Sequence, residues 1–71
     1  MPFYIFSTGT ELSSGRSRDT NGPFIAQSLS EAGLDVSGII TLPDNPTSIL
    51  EELSRLIART DTSGIIITGG L

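Results

Sequence analysis

Three short segments of this chain carry residues suited to holding an anion: Thr8-Gly9-Thr10-Glu11, Pro43-Asp44-Asn45 and Thr68-Gly69-Gly70. Glycine lets backbone N–H groups approach an anion closely, and hydroxyl and amide side chains add hydrogen bonds. Asp19-Thr20-Asn21 adds an acid, a hydroxyl and an amide just ahead of a predicted helix. Phosphate is the natural ligand for such a set. Each piece also has a plainer reading. Gly9 and Gly15 permit sharp turns. Asp44 before Asn45-Pro46 supports a turn, and Asp19 and Asn21 form a local helix cap. Glu11, Arg16 and Arg18 read as solvated loop charges. No GxGxxG motif is present, and the Gly9-to-Gly15 spacing lacks the lysine of a P-loop.

The elements that must position these segments follow from periodicity and punctuation. Phe3 to Ser7 is a compact aromatic and β-branched run, the pattern of a strand buried on both faces. Ser7 to Asn21 reads as a loop, long for a compact domain. A helix starts near Asn21, with Pro23 in its first turn and Phe24, Ile25, Ser28, Leu29 and Ala32 on one face. Gly33 supplies its left-handed stop. Leu34 to Leu42 is the second strand, weakened in the middle by Gly38. Asn45 caps the next helix, whose stripe is Ile49, Leu50, Leu53, Leu56 and Ile57. Ile65 to Thr68 is the third strand. Strands this short and apolar, joined by helices, predict an α/β fold with a parallel βαβαβ sheet. In such sheets the ligand edge lies beyond the carboxyl ends of the strands, where the three segments converge.

Composition narrows the chemistry. The 71 residues include no Cys and no His, and all four basic residues are Arg. Disulfides, a Cys/His zinc site, a thiol nucleophile, a Ser-His-Asp triad and a Schiff-base lysine are excluded. Eight acidic residues leave a net charge of −4, which argues against nucleic acid and against anionic membranes as partners. The N-terminus lacks the basic region and apolar run of a signal peptide, so a cytoplasmic location is expected. Two helices cover only part of a sheet that is apolar on both faces. Residues 1–71 are therefore expected to form the N-terminal half of a larger domain, completed by a missing half or by self-association.

Taken together, Ser7-Thr8-Gly9-Thr10-Glu11-Leu12, Gly15 and Asp19-Thr20-Asn21 resemble the opening motif of the molybdopterin-binding fold. Pro43-Asp44-Asn45 followed by Ile49 resembles that family's acidic turn after the second strand. Thr68-Gly69-Gly70-Leu71 resembles the start of its Thr-Gly-Gly-Leu-Gly-Pro-Thr-x-Asp-Asp signature. Gly-Thr-Glu-Leu and Thr-Gly-Gly-Leu are most similar to the CinA-like branch, ahead of the MogA and MoaB proteins of molybdenum-cofactor synthesis. The resemblance implies a three-layer α/β/α fold, here truncated. It also implies a parent enzyme that hydrolyses nucleotide pyrophosphates such as ADP-ribose with a divalent metal (Mg²⁺, Mn²⁺ or Co²⁺). Gly9, Thr10, Thr68, Gly69 and Gly70 would then hold phosphates. Glu11, Asp19 and Asn21 would shape the loop or touch the ligand. Asp44 would position the metal or the attacking water. A molybdopterin or nucleotide binding module without catalysis is the alternative, and a self-associating structural fragment is a third. Ser13-Ser14 departs from the family's bulkier pair. The family's later acidic residues lie outside this sequence, so the chain alone is expected to be inactive.

Overall fold

The computed structural model describes residues 2–59 and 61–69. β1 (Pro2–Thr8) is followed by a one-turn helix α1 (Thr10–Ser13), then α2 (Asn21–Glu31), β2 (Asp35–Leu42), α3 (Pro46–Ile57) and β3 (Gly64–Gly69). The strands form one parallel sheet in the order β2-β1-β3. The expected βαβαβ arrangement is present, with α1 as an addition inside the segment read as a plain loop. Thr-Glu-Leu-Ser carries no apolar periodicity to announce a helix. The turn closes because the Leu12 and Ser13 N–H groups both donate to the Gly9 carbonyl.

β1 is the central strand, and its alternation divides the core. Tyr4 and Phe6 point to the face where Leu42, Leu56, Ile40, Ile49, Leu53 and Ile65 gather. Ile5 and Ser7 point the other way, toward α2. Ile5, Phe6 and Ser7 are all essentially inaccessible to solvent. The two helices therefore cover opposite faces, as right-handed crossovers require when one runs from β1 to β2 and the next returns from β2 across β1 to β3. The β1–β2 register slips between Phe3 and Tyr4, where Val36 and Gly38 are successive partners and Ser37 is passed over. The weakness expected at Gly38 takes the form of this bulge.

The helix ends follow local chemistry. Asn45 accepts from the Thr47 N–H at 2.9 Å through its side-chain oxygen, and Pro46 occupies the first helical position. At the end of α2, Gly33 (φ +88°) donates to Ser30 and Leu34 donates to Leu29, both to backbone carbonyls. That pair of bonds is a Schellman stop. The apolar stripes are narrower than the sequence suggests. Phe24 is 70% exposed, and Leu50 and Ile57 are 60% and 66% exposed, so the buried face of α3 is Ile49, Leu53 and Leu56.

That division has a direct test. Leu56→Ala should cost about 2–5 kcal/mol in urea unfolding, because it opens a cavity beside Phe6 and Leu42. Leu50→Ala should change stability by less than about 0.5 kcal/mol. Equal losses at both positions would place α3 in a different rotation about its axis.

Candidate functional site

The sheet brings the ends of β1 and β3 together at one edge. The Thr8 hydroxyl donates to the Thr68 carbonyl at 3.1 Å, bridging the two strands. Gly69 follows with φ +132°, and a Cβ there would run into the carbonyl oxygen and hydroxyl of Thr8. This close approach to the Thr8 backbone demands glycine on both steric and conformational grounds. Next to it lies a cavity of about 440 Å³. Thr8 and Gly69 form its strand side, and Glu11 and Leu12 of α1 form its floor. Ser17, Arg18, Asp19, Thr20 and Asn21 close it from the loop and the start of α2. The loop is held in shape by the Ser17 N–H donating to the Glu11 carbonyl at 2.9 Å.

Asp19 organises the start of α2. Its Oδ1 accepts from the Gly22 N–H at 3.0 Å, and its Oδ2 accepts from the Ser7 hydroxyl at 2.6 Å. Thr20 directly precedes the helix, but its side chain makes no capping bond. The capping group is therefore Asp19, one residue further back, and the cap expected near Asn21 shifts accordingly. Gly22 is buried at the closest approach of α2 to the sheet, where a Cβ would sit 2.7 Å from the Ser7 Oγ and 3.1 Å from Ile39. The Ser7 hydroxyl holds the Asp19 carboxyl below its usual range. Partial burial opposes that effect, and the Gly22 and Asn21 N–H groups reinforce it.

The candidate residues from sequence divide into two groups. Glu11, Asp19, Asn21 and Gly69 line the cavity. Gly9, Thr10, Thr68 and Asp44 do not. Gly9 is buried with its N–H committed to the Leu42 carbonyl at 3.0 Å, which ties the end of β1 to the end of β2. Thr68 supplies its carbonyl to Thr8, and Thr10 is exposed on the first turn of α1. Asp44 is exposed in the bend between β2 and α3. Gly70 lies outside the described residues. Thr8 and Thr20, which sit in the anion-holding segments of the sequence, also line the cavity, as do Leu12, Ser17 and Arg18, which the sequence does not single out as site residues. The usable signal was the position of Ser17, Arg18 and Thr20, inside a long loop and interleaved with Asp19 and Asn21.

The acid count bears on a metal. Among the described residues, no three His, Cys, Asp or Glu side chains come together as a metal-holding group. Two carboxylates, Glu11 and Asp19, line the cavity, and Asp19 is already engaged by Ser7 and Gly22. Divalent cations such as Mg²⁺ need a fuller set of oxygen ligands. These residues do not by themselves fit a divalent-metal site.

The motifs and the sheet edge agree with what the comparisons find. A family described as "Probable molybdopterin binding domain" matches residues 4–71. The chain belongs to this family. It is also similar to proteins named "CinA-like protein": 49% identical over 70 residues to that of Leptospira interrogans (serovar Lai), 51% over 69 residues to that of Leptospira biflexa, and 42% over 71 residues to that of Desulfotalea psychrophila. These alignments cover 94%, 94% and 100% of the chain but only 17%, 16% and 17% of the relatives. The chain thus spans about one sixth of the length of the curated relatives it matches. No solved structure matches it. No helix among the described residues is long and apolar enough to cross a membrane.

The Asp19 contacts predict a pH signature. A carboxyl whose folded pKa is depressed contributes stability that is complete above its unfolded value, about 3.9, and is lost as pH falls through the folded value. Asp19→Asn should cost about 1 kcal/mol at pH 7 by losing the charge in the bonds to Ser7 and Gly22, and the gap from the parent chain should shrink as pH falls below about 4 toward the depressed folded value. Urea melts from pH 2.5 to 7 measure this. A gap independent of pH would mean that the charge of Asp19 contributes nothing.

Proposed function

We propose that this chain binds the phosphate portion of a nucleotide or a pterin phosphate at the carboxyl edge of its sheet. The observation that carries the reading is the cavity beside Thr8 and Gly69, which is walled by hydroxyls, an amide and one arginine together with the Glu11 and Asp19 carboxylates. Its volume falls within the range of about 300–1,000 Å³ common for small-molecule sites. Membership of the molybdopterin-binding family supports a phosphate-bearing ligand. The similarity to CinA-like proteins supports a nucleotide of the ADP-ribose type, with a molybdopterin-like pterin as the second candidate. A cytoplasmic location goes with either ligand.

For the whole protein the reading extends to hydrolysis of a nucleotide pyrophosphate with Mg²⁺, Mn²⁺ or Co²⁺. Asp44 would be one acidic contributor from this chain. Its place outside the cavity wall, and the lack of a three-acid group among the described residues, favour binding without hydrolysis by the chain alone. In that role the hydroxyls of Ser17 and Thr20 donate to phosphate oxygens, and Asn21 adds an amide donor. The exposed apolar side chains Phe24, Leu50, Ile57 and Ile67 support association with a second copy or with further protein.

Amide NMR titration with ADP-ribose is the test. Saturable shifts are expected at Thr8, Ser17 to Asn21 and Gly69, with little change at Asp44. Incubation with Mg²⁺, Mn²⁺ or Co²⁺ should yield no AMP from ADP-ribose. Shifts confined to residues away from this edge would sink the binding site. Turnover by the 71-residue chain would sink the claim that it binds without hydrolysing.

A further inference from the structure

The ligand edge holds two features that would ordinarily compete for an anion: the N-terminus of α2 and the cation on the loop before it. The structure separates them. The first turn of α2 is already occupied by an anion of its own, because the Asp19 carboxylate accepts from the Gly22 N–H at 3.0 Å and is pinned by the Ser7 hydroxyl at 2.6 Å. The Gly22 donor is spent in this way, Pro23 has no N–H to offer, and the partial positive charge of the helix end is offset by a full negative one. A phosphate placed there would also face the Asp19 carboxylate.

The positive charge must therefore come from a side chain, and the chain has only four cations, all arginines. Arg55 is paired with Glu52, and Arg59 is paired with Asp61 and stacked over Tyr4. Arg16 donates to the Ser14 hydroxyl at 3.1 Å and is not part of the cavity wall. Arg18 lines the cavity and makes no ion pair or side-chain hydrogen bond among the described residues. The adjacent Asp19 does not pair with it, since both Asp19 oxygens are turned to Ser7 and Gly22. Glu11 on the cavity floor and Asp19 beside it make the wall acidic without Arg18, so an anion depends on that one guanidinium.

We infer that Arg18 is the anion-recognising residue of this site and that the N-terminus of α2 is not. The inference rests on the binding reading above and adds which group selects for phosphate. A guanidinium matches two oxygens of a phosphate at once, which an ammonium cannot do. The ligand class is thus one with an exposed di- or monophosphate, read by a planar fork.

Titration of the folded chain with inorganic pyrophosphate, followed by amide NMR without added metal, tests this. The parent chain should show saturable shifts at Thr8, Thr20 and Asn21. Arg18→Ala should weaken binding by about tenfold or more, and Arg18→Lys should restore only part of it. Arg16→Ala removes the same unit of charge two residues away and should bind as the parent does. Equal affinity for Arg18→Ala and the parent, or equal losses at Arg16 and Arg18, would overturn the inference and leave the binding site standing. If neither pyrophosphate nor ADP-ribose shifts any cavity residue of the parent chain, the binding reading itself fails and this inference falls with it. Retained amide dispersion in each variant shows that the fold is intact.

Discussion

The position of β1 is the constraint on which everything else depends. It is hydrogen-bonded along both edges, and Ile5, Phe6 and Ser7 have no contact with solvent. A strand enclosed on four sides must place its neighbours by crossovers, and parallel pairing then puts all three carboxyl ends at one edge. Thr8 is where this confinement ends. Its hydroxyl bridges to β3, its carbonyl sits against Gly69, and the next residue ties to β2 through Leu42. The cavity is the space left where the enclosed strand opens into the loop.

Ser7 shows how packing and site are joined. A buried hydroxyl with no partner would cost free energy, so it must donate to something. The acceptor is Asp19, twelve residues away in sequence, and that one bond fixes both the loop and the first turn of α2. Satisfying a buried polar atom thus sets the back wall of the site. It also sets a carboxylate at the start of α2, in a cavity wall whose hydroxyls and amide are joined by two acids and a single arginine.

Much of the fold was legible because its signals are local. The run Phe3 to Ser7, the Asn45-Pro46 start of α3 and the Gly33 stop each act within a few residues, and each appears in the structure in that role. What depends on three dimensions was harder to read. The stripe of α3 includes Leu50 and Ile57 by spacing, yet only the side of Ile49, Leu53 and Leu56 meets Phe6. Gly9 looked like an anion donor from its place in a Gly-rich turn, but its N–H is used to join β1 to β2. Arg18 reads as a solvated loop charge and is exposed in the structure, but nothing in its neighbours' identities reveals that it lines the cavity while Asp19 turns both oxygens elsewhere. Sequence names the groups available; which of them remain unengaged is decided by partners far along the chain.

The same reasoning separates binding from catalysis. Holding a phosphate requires donors and positive charge on one wall, and on the proposed reading Ser17, Arg18, Thr20 and Asn21 would supply them from a single sheet edge. Breaking a phosphoanhydride also requires charge stabilisation at the leaving oxygen and a positioned water. Here Asp19 is spent on Ser7 and the α2 amides, while Asp44 stands in solvent beyond β2. Glu11 alone faces the cavity without a fixed structural task of that kind, and one carboxylate cannot both gather a cation and orient a water. Among the described residues the βαβαβ unit thus gathers hydroxyls, an amide and an arginine at one sheet edge with two acids beside them, in a segment that spans about one sixth of its CinA-like relatives.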